Sequence, residues 1–415
     1  MNTGRDRYLD LLRVGSLTVV VLSHLAFTVL KWTDAGPRTT SPLEFVPGLW
    51  IVTWLLQVMP LFFYIGGYAH LRSSRAFRGG IGRFTLTRLR GLLIPAAVLG
   101  AVWAAAGLGL STVYDGEAVG RAVKLILSPL WFLGVYAMLV ALLPAALWLH
   151  RRAGLWALPI LGGAAVVVDV ARFGFDVPNI GWANLVLVWG AAHQAGLSHE
   201  RWRDMPRKAA IICVATGLGL LSYLVAGLGY PGAMVGVPGR AFSNMTPPTV
   251  AILALLILQI GLMALMRPAA DRLLSRPRAA RAVDAANRYA LPVFLFHTTG
   301  AALFVYGLHR LTGVALVDTV ADASWWSTRP VMLAGSALCT VVLVVAFGRK
   351  RPQPRGVPGA SATIAGASTA ETIDSAAVNR SQATSRVRPP STSWTDSSSV
   401  ASSSQPRKPK REPVS

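Results

Sequence analysis

Ten stretches of this chain are each apolar over about the twenty residues that a helix needs to cross a bilayer. They cover residues 8–30, 48–71, 90–108, 129–149, 154–170, 181–198, 208–228, 249–267, 288–308 and 329–348. Only 14% of the residues are charged, against about 25% in an ordinary soluble domain. Lipid is therefore the solvent, and a backbone in lipid must satisfy its own polar groups, which helices do. The expected fold is all-α: a polytopic membrane bundle of about ten transmembrane helices over residues 1–348. The first run contains Asp10, Arg13 and His24 and is followed by no small-x-small cleavage site, so it reads as a retained helix and not a cleaved signal.

The chain is nevertheless strongly basic, with 40 Lys and Arg against 18 Asp and Glu and a formal charge of +22. Nucleic acid is the usual partner of such an excess, but it fits poorly with so little polar surface, and none is expected here. The positions of the charges give another source. If the ten runs are spans, one set of connectors and flanks holds 23 basic residues and the alternate set holds eight. Basic residues collect on the cytoplasmic side, which places both termini there, in the cell membrane. From residue 349 the sequence becomes rich in Ser, Thr and Pro, with eleven basic and four acidic residues. The expectation for 349–415 is a disordered cytoplasmic tail. Its Arg407–Arg411 cluster reads either as a contact with anionic lipid or as plainly solvated. Cys213 and Cys339 sit in apolar runs and form no disulfide or metal framework.

Ionisable groups inside a span are costly and are functional candidates by default. Along the first helix, Arg13 lies about 60° from Asp10 and His24 about 20° from Arg13, so all three share a face. His24 stands about 16 Å deeper than Arg13. An imidazole there suits general-base work, although a lone membrane His also serves as an interhelical hydrogen-bonding residue. Asp10 and Arg13 read equally as a plain pair at a helix end. At the end of the second run, Arg72 and Arg75 put two guanidinium groups on one face, a match for phosphate or simply part of the basic loop.

Arg13-x10-His24, preceded by Tyr8-Leu9-Asp10-Leu11-Leu12, resembles the opening of the acyltransferase 3 family of integral membrane O-acyltransferases. Arg72-x-x-Arg75 after Met59-Pro60-Leu61-Phe62-Phe63-Tyr64-Ile65-Gly66-Gly67-Tyr68 resembles its second motif. Arg83-Phe84-x4-Arg88-x-Arg90 before Ile94-Pro95, Leu130-Trp131-Phe132-Leu133 and Leu295-Phe296-His297 resemble later elements, in order, across residues 5–348. The resemblance implies that residues 1–348 form a membrane acyltransferase domain. It implies transfer of an acyl group, commonly acetyl, from cytoplasmic acetyl-CoA as co-substrate, with no bound cofactor or metal, to a hydroxyl of a carbohydrate or other small acceptor. His24 would assist the transfer, and Arg13, Arg72 and Arg75 would hold the donor. Asp10, Trp131 and His297 would support them. Relatives usually carry Ser-Gly where this chain has Gly66-Gly67, which puts any role for that hydroxyl in doubt. The hydrolase-like domain fused in some relatives is not seen, so this chain would complete the transfer alone or with a separate extracytoplasmic partner.

Other readings stay open at this level. His297 either lines a cavity with His24 or bonds a neighbouring helix. Trp131 either stacks on a ring or belongs to an interfacial aromatic belt. His193, Gln194, Asn184 and Asp169 read as tolerated polar residues near span ends. His199-x4-Asp204 matches the pattern of a different acyltransferase class, but in a short basic loop it reads as chance. The rival function is a transporter whose Asp10, Arg13, His24 and His297 line a substrate or proton path.

Overall fold

The computed structural model describes residues 6–27, 29–33, 36–237, 240, 242–312 and 323–348. The expected tail, 349–415, lies outside the described residues.

The first helix, α1 (Arg7–Phe27), ends before the expected position 30. Val29–Thr33 and Gly36–Thr40 instead form an antiparallel hairpin, β1 and β2, consistent with the strand preference of Val, Trp and Thr. A short 3-10 turn (Leu49–Val52) and a four-residue helix (Thr53–Leu56) lead into α2 (Met59–Ala76). Pro60 starts α2, where its missing N–H has no helical partner anyway. The chain continues through α3 (Gly80–Leu110), α4 (Gly116–Leu127), α5 (Leu130–Ala141), α6 (Leu143–Ala153) and α7 (Ala157–Gly174). It ends with α8 (Asn184–Leu197), α9 (Arg207–Ser222), α10 (Val250–Leu274), α11 (Pro277–Thr312) and α12 (Ala323–Phe347). Asp115 caps α4 by accepting from the Ala118 N–H at 2.8 Å.

Among the described residues, eight helical stretches are long and apolar enough to cross a bilayer. A ninth appears if α4 and α5, bent by 48°, form one span. The expectation of ten differs at two places. Residues 143–174 count as one stretch, and α8 has only 14 residues, about 21 Å against a hydrocarbon core of about 30 Å. α8 is short because protein surrounds it: from Ala191 to Leu197 every residue is buried. Large apolar side chains such as Val167, Ile212, Val341 and Val345 instead point outward, as a lipid-facing surface requires.

α1 packs on α11, α11 on α12, α9 on α10, and α2 on α8. The α2–α8 contact is backbone on backbone. A Cβ on Gly67 would sit 2.0 Å from the His193 carbonyl oxygen, and one on Gly196 would sit 1.8 Å from that of Tyr64. Glycines admit such an approach and nothing larger does. Beside it, Phe62 meets Phe132 edge-on with centroids 4.8 Å apart, and Phe63 meets Trp189 at 4.9 Å. Each such pair contributes about 0.5–1.5 kcal/mol beyond its buried area. Together they fix α2, α5 and α8 as the central layer.

Candidate active site

α1 and α11 run side by side, and the polar face foreseen on α1 is turned onto α11. Arg13 is buried and donates from Nε to Asn287 Oδ1 at 2.8 Å, with a second bond from Nη2 to the same oxygen. Its Nη2 also lies 3.8 Å from Asp10 Oδ1, so the Asp10–Arg13 pair exists as well. Eleven residues along α1, His24 Nδ1 lies 2.9 Å from His297 Nε2, with the two rings nearly parallel.

The direction of that last bond follows from its neighbour. His297 Nδ1 lies 2.7 Å from the Phe294 carbonyl oxygen. A carbonyl only accepts, so Nδ1 carries the proton and, in a neutral ring, Nε2 is the acceptor. His24 Nδ1–H must then donate to it. With both rings neutral, the lone pair of His24 is left on Nε2, the state a general base needs. His24 is half-buried and His297 fully buried.

A cavity of about 1010 Å³ runs beside this pair. Arg13, Asn287 and Arg288 line one part of it, and Trp103 and Thr299 another. Phe294, Phe296 and Thr299, on either side of His297 along α11, also line it, while His24 and His297 are not among the lining residues. The walls between are largely apolar, with Leu17, Leu99, Phe132 and Leu133 among them.

Tyr136 brings a second polar cluster to the cavity wall. Its hydroxyl lies 3.1 Å from His70 Nε2, and His70 Nδ1 lies 3.0 Å from His193 Nε2, all buried. His70 lies between Tyr68 and Arg72 with no expectation attached to it, and His193 read as a tolerated end residue. Asn287, one position before the expected ninth run, was missed altogether. Gly66 now has a reason: a Cβ there would lie 2.9 Å from the Tyr136 ring. Tyr136 therefore fills the space into which a serine at position 66 would project.

The other expected residues lie apart from the cavity. Arg72 donates to Tyr68 at 3.1 Å, Arg75 is exposed, and neither lines the cavity. Trp131 points outward at 44% exposure, while its neighbours Phe132 and Leu133 face the cavity. Asn184 and Asp169 bond each other at 2.8 Å, and Tyr230 and the Val250 N–H complete the Asp169 shell. His199 is buried, but its carboxylate partner is Asp6 at 3.4 Å, not the exposed Asp204.

Asp6 links three elements. It accepts from Arg267 of α10 at 2.8 Å and from His199, whose other nitrogen lies 2.7 Å from the Tyr64 hydroxyl of α2. Burial opposes its ionisation, but the hydrogen bonds and charges of His199 and Arg267 outweigh that and hold the carboxyl well below the usual carboxylate range. A lowered folded pKa gives stability that is fully present above the unfolded value of about 4 and is lost as pH falls below it. Asp6→Asn should therefore lower the thermal midpoint in detergent at pH 7 and flatten its acid dependence. An unchanged midpoint at pH 7 would remove Asp6 as an anchor of α1.

The chain matches the family described as an acyltransferase domain, acyltransferase 3, over residues 6–349. Comparison with curated proteins and with solved structures gave no match. The match runs from Asp6, ahead of α1, to just past the end of α12, and so takes in every residue of the cavity and of the histidine pair. The chain belongs to the acyltransferase 3 family and is a multi-pass membrane acyltransferase.

Proposed function

We propose that this enzyme takes an acyl group, acetyl in the first instance, from cytoplasmic acyl-CoA and places it on a hydroxyl of a carbohydrate acceptor. The contacts that carry the reading are His24 Nδ1 to His297 Nε2 at 2.9 Å and His297 Nδ1 to the Phe294 carbonyl oxygen at 2.7 Å, which with both rings neutral leave the lone pair of His24 on Nε2. Both termini and the arginine-rich ends of the helices are assigned to the cytoplasm of a cell-membrane protein: if all ten apolar runs cross, α8 included, their connectors and flanks divide the basic residues 23 to 8. The donor's phosphates sit at the Arg13 end, where guanidinium meets anion. Its thin arm follows the cavity toward the level of His297.

The acceptor hydroxyl gives its proton to His24 Nε2 as its oxygen bonds to the thioester carbonyl carbon. The tetrahedral centre collapses, the C–S bond breaks, and the departing CoA sulfur takes the proton from Nε2. His24 ends neutral, as it began, and no further co-reactant is consumed. While the imidazolium exists, its bond to His297 is charge-assisted and stronger.

Arg13 is held by Asn287 in one orientation, so its role depends on the guanidinium fork and not on charge alone. Arg13→Lys should raise the donor KM about tenfold or more, the worth of a charged hydrogen bond, and change kcat less. Both readings use one assay: acceptor-dependent release of free thiol from acetyl-CoA by the purified protein. No thiol release from any acyl-CoA with any glycan acceptor would refute the function, and an unchanged KM would remove Arg13 from donor binding.

A further inference from the structure

The cavity has a wall where Trp103 of α3 and Thr299 of α11 face each other, and the Trp103 indole N–H donates to Thr299 Oγ1 at 3.0 Å. Thr299 is buried. It stands two residues past His297, about 3 Å further along the helix, and about 18 Å from the level of Asn287. A buried indole N–H needs a partner, and this one pins the largest side chain on α3 that lines the cavity in one orientation. The surfaces around it, Leu99, Val102, Ala106 and Phe296, are apolar. Such a wall selects by size and not by charge.

Rise along the helices places the wall just beyond the histidine pair. On the acyl-CoA reading above, on which this inference rests, the thioester carbonyl is at the level of His24 and His297. The donor's acyl group is then the part that continues toward Trp103. We propose that Trp103, held by Thr299, narrows the acyl pocket and restricts the enzyme to short acyl groups. Ala106 lines the same cavity one turn further along α3, so the indole narrows the way toward it and a smaller side chain at 103 widens that way.

The test compares kcat/KM for acetyl-, butyryl- and octanoyl-CoA in the purified full-length enzyme and in Trp103→Ala, Trp103→Leu and Trp103→Phe. In Trp103→Ala the octanoyl-to-acetyl ratio should rise by about tenfold or more, because one methylene in an apolar pocket is worth about 10–200-fold. Trp103→Phe keeps an aromatic wall and should stay nearer the parent ratio. If Trp103→Ala does not fold, Trp103→Leu carries the same expectation. Parallel loss for all three donors, or a ratio unchanged in both Ala and Leu variants, overturns the proposal and makes Trp103 a packing residue. If the parent enzyme turns over no acyl-CoA at all, it is the acyl-CoA reading that fails. If it turns over acetyl-CoA and the ratio does not move, only the chain-length inference fails.

Discussion

His24→Ala should lower kcat/KM for acyl transfer by about 10²–10⁴-fold, the contribution of a positioned general base, at equal membrane abundance. The expectation rests on one nitrogen. His24 Nε2 keeps its lone pair because Nδ1–H is committed to His297, whose own Nδ1–H is committed to the Phe294 carbonyl. His297→Ala should cost less, since the base survives but loses the acceptor that selects its tautomer and strengthens as the imidazolium forms. The double variant should be hardly worse than His24→Ala alone, because residues that act as a unit are not additive. Steady-state kinetics on the four proteins check this. Independent, additive losses would show that the two histidines do not form one relay. Activity of His24→Ala close to that of the parent would remove His24 from the chemistry.

The half of this site that lies on α1 was legible in the sequence. Asp10, Arg13 and His24 repeat at spacings that return to one face of a helix, and that face does meet α11. Their partners were legible only in part. His297 stood out as an imidazole inside an apolar run, but Asn287 sits one position before that run, where an amide carries no signal, although α11 itself begins ten residues earlier. The His70–His193–Tyr136 cluster joins residues 123 and 66 positions apart. Helical periodicity relates only neighbours three and four apart, so no local pattern announces such pairings. Trp131, Phe132 and Leu133 show the same limit in a different way. Composition marks the segment as notable, but the packing of α5 on α2 decides that Phe132 and Leu133, and not Trp131, face the cavity. The span count differs for a related reason. Apolarity records distance from water without distinguishing lipid from protein, so the buried, 14-residue α8 reads like a lipid-exposed span.

That buried helix also carries the largest structural prediction. Gly196→Ala should disrupt the folded protein, lowering its monodisperse yield and thermal midpoint in detergent and its activity together. Alanine is worth about 1 kcal/mol over glycine inside a helix, so propensity alone predicts the opposite. Overpacking a well-packed site costs about 1–3 kcal/mol, occasionally more, and this site is at the severe end. The new Cβ would lie 1.8 Å from the Tyr64 carbonyl oxygen and 2.7 Å from its carbonyl carbon. Both are backbone atoms of α2, which cannot rotate away as a side chain would, so the helices must separate. Separation pulls His193 from His70 and loosens the Phe63–Trp189 contact, and Tyr136 at the cavity wall loses the histidine that holds its hydroxyl in place. Gly67→Ala meets the His193 carbonyl oxygen at 2.0 Å and should behave alike. Gly190→Ala is the internal control: it lies on the same helix with nothing within 4 Å of its added methyl, and there the propensity gain should stand. If Gly196→Ala proves as stable as Gly190→Ala, the two backbones do not approach as closely as described, and the positioning of His70, His193 and Tyr136 by the α2–α8 crossing falls with them.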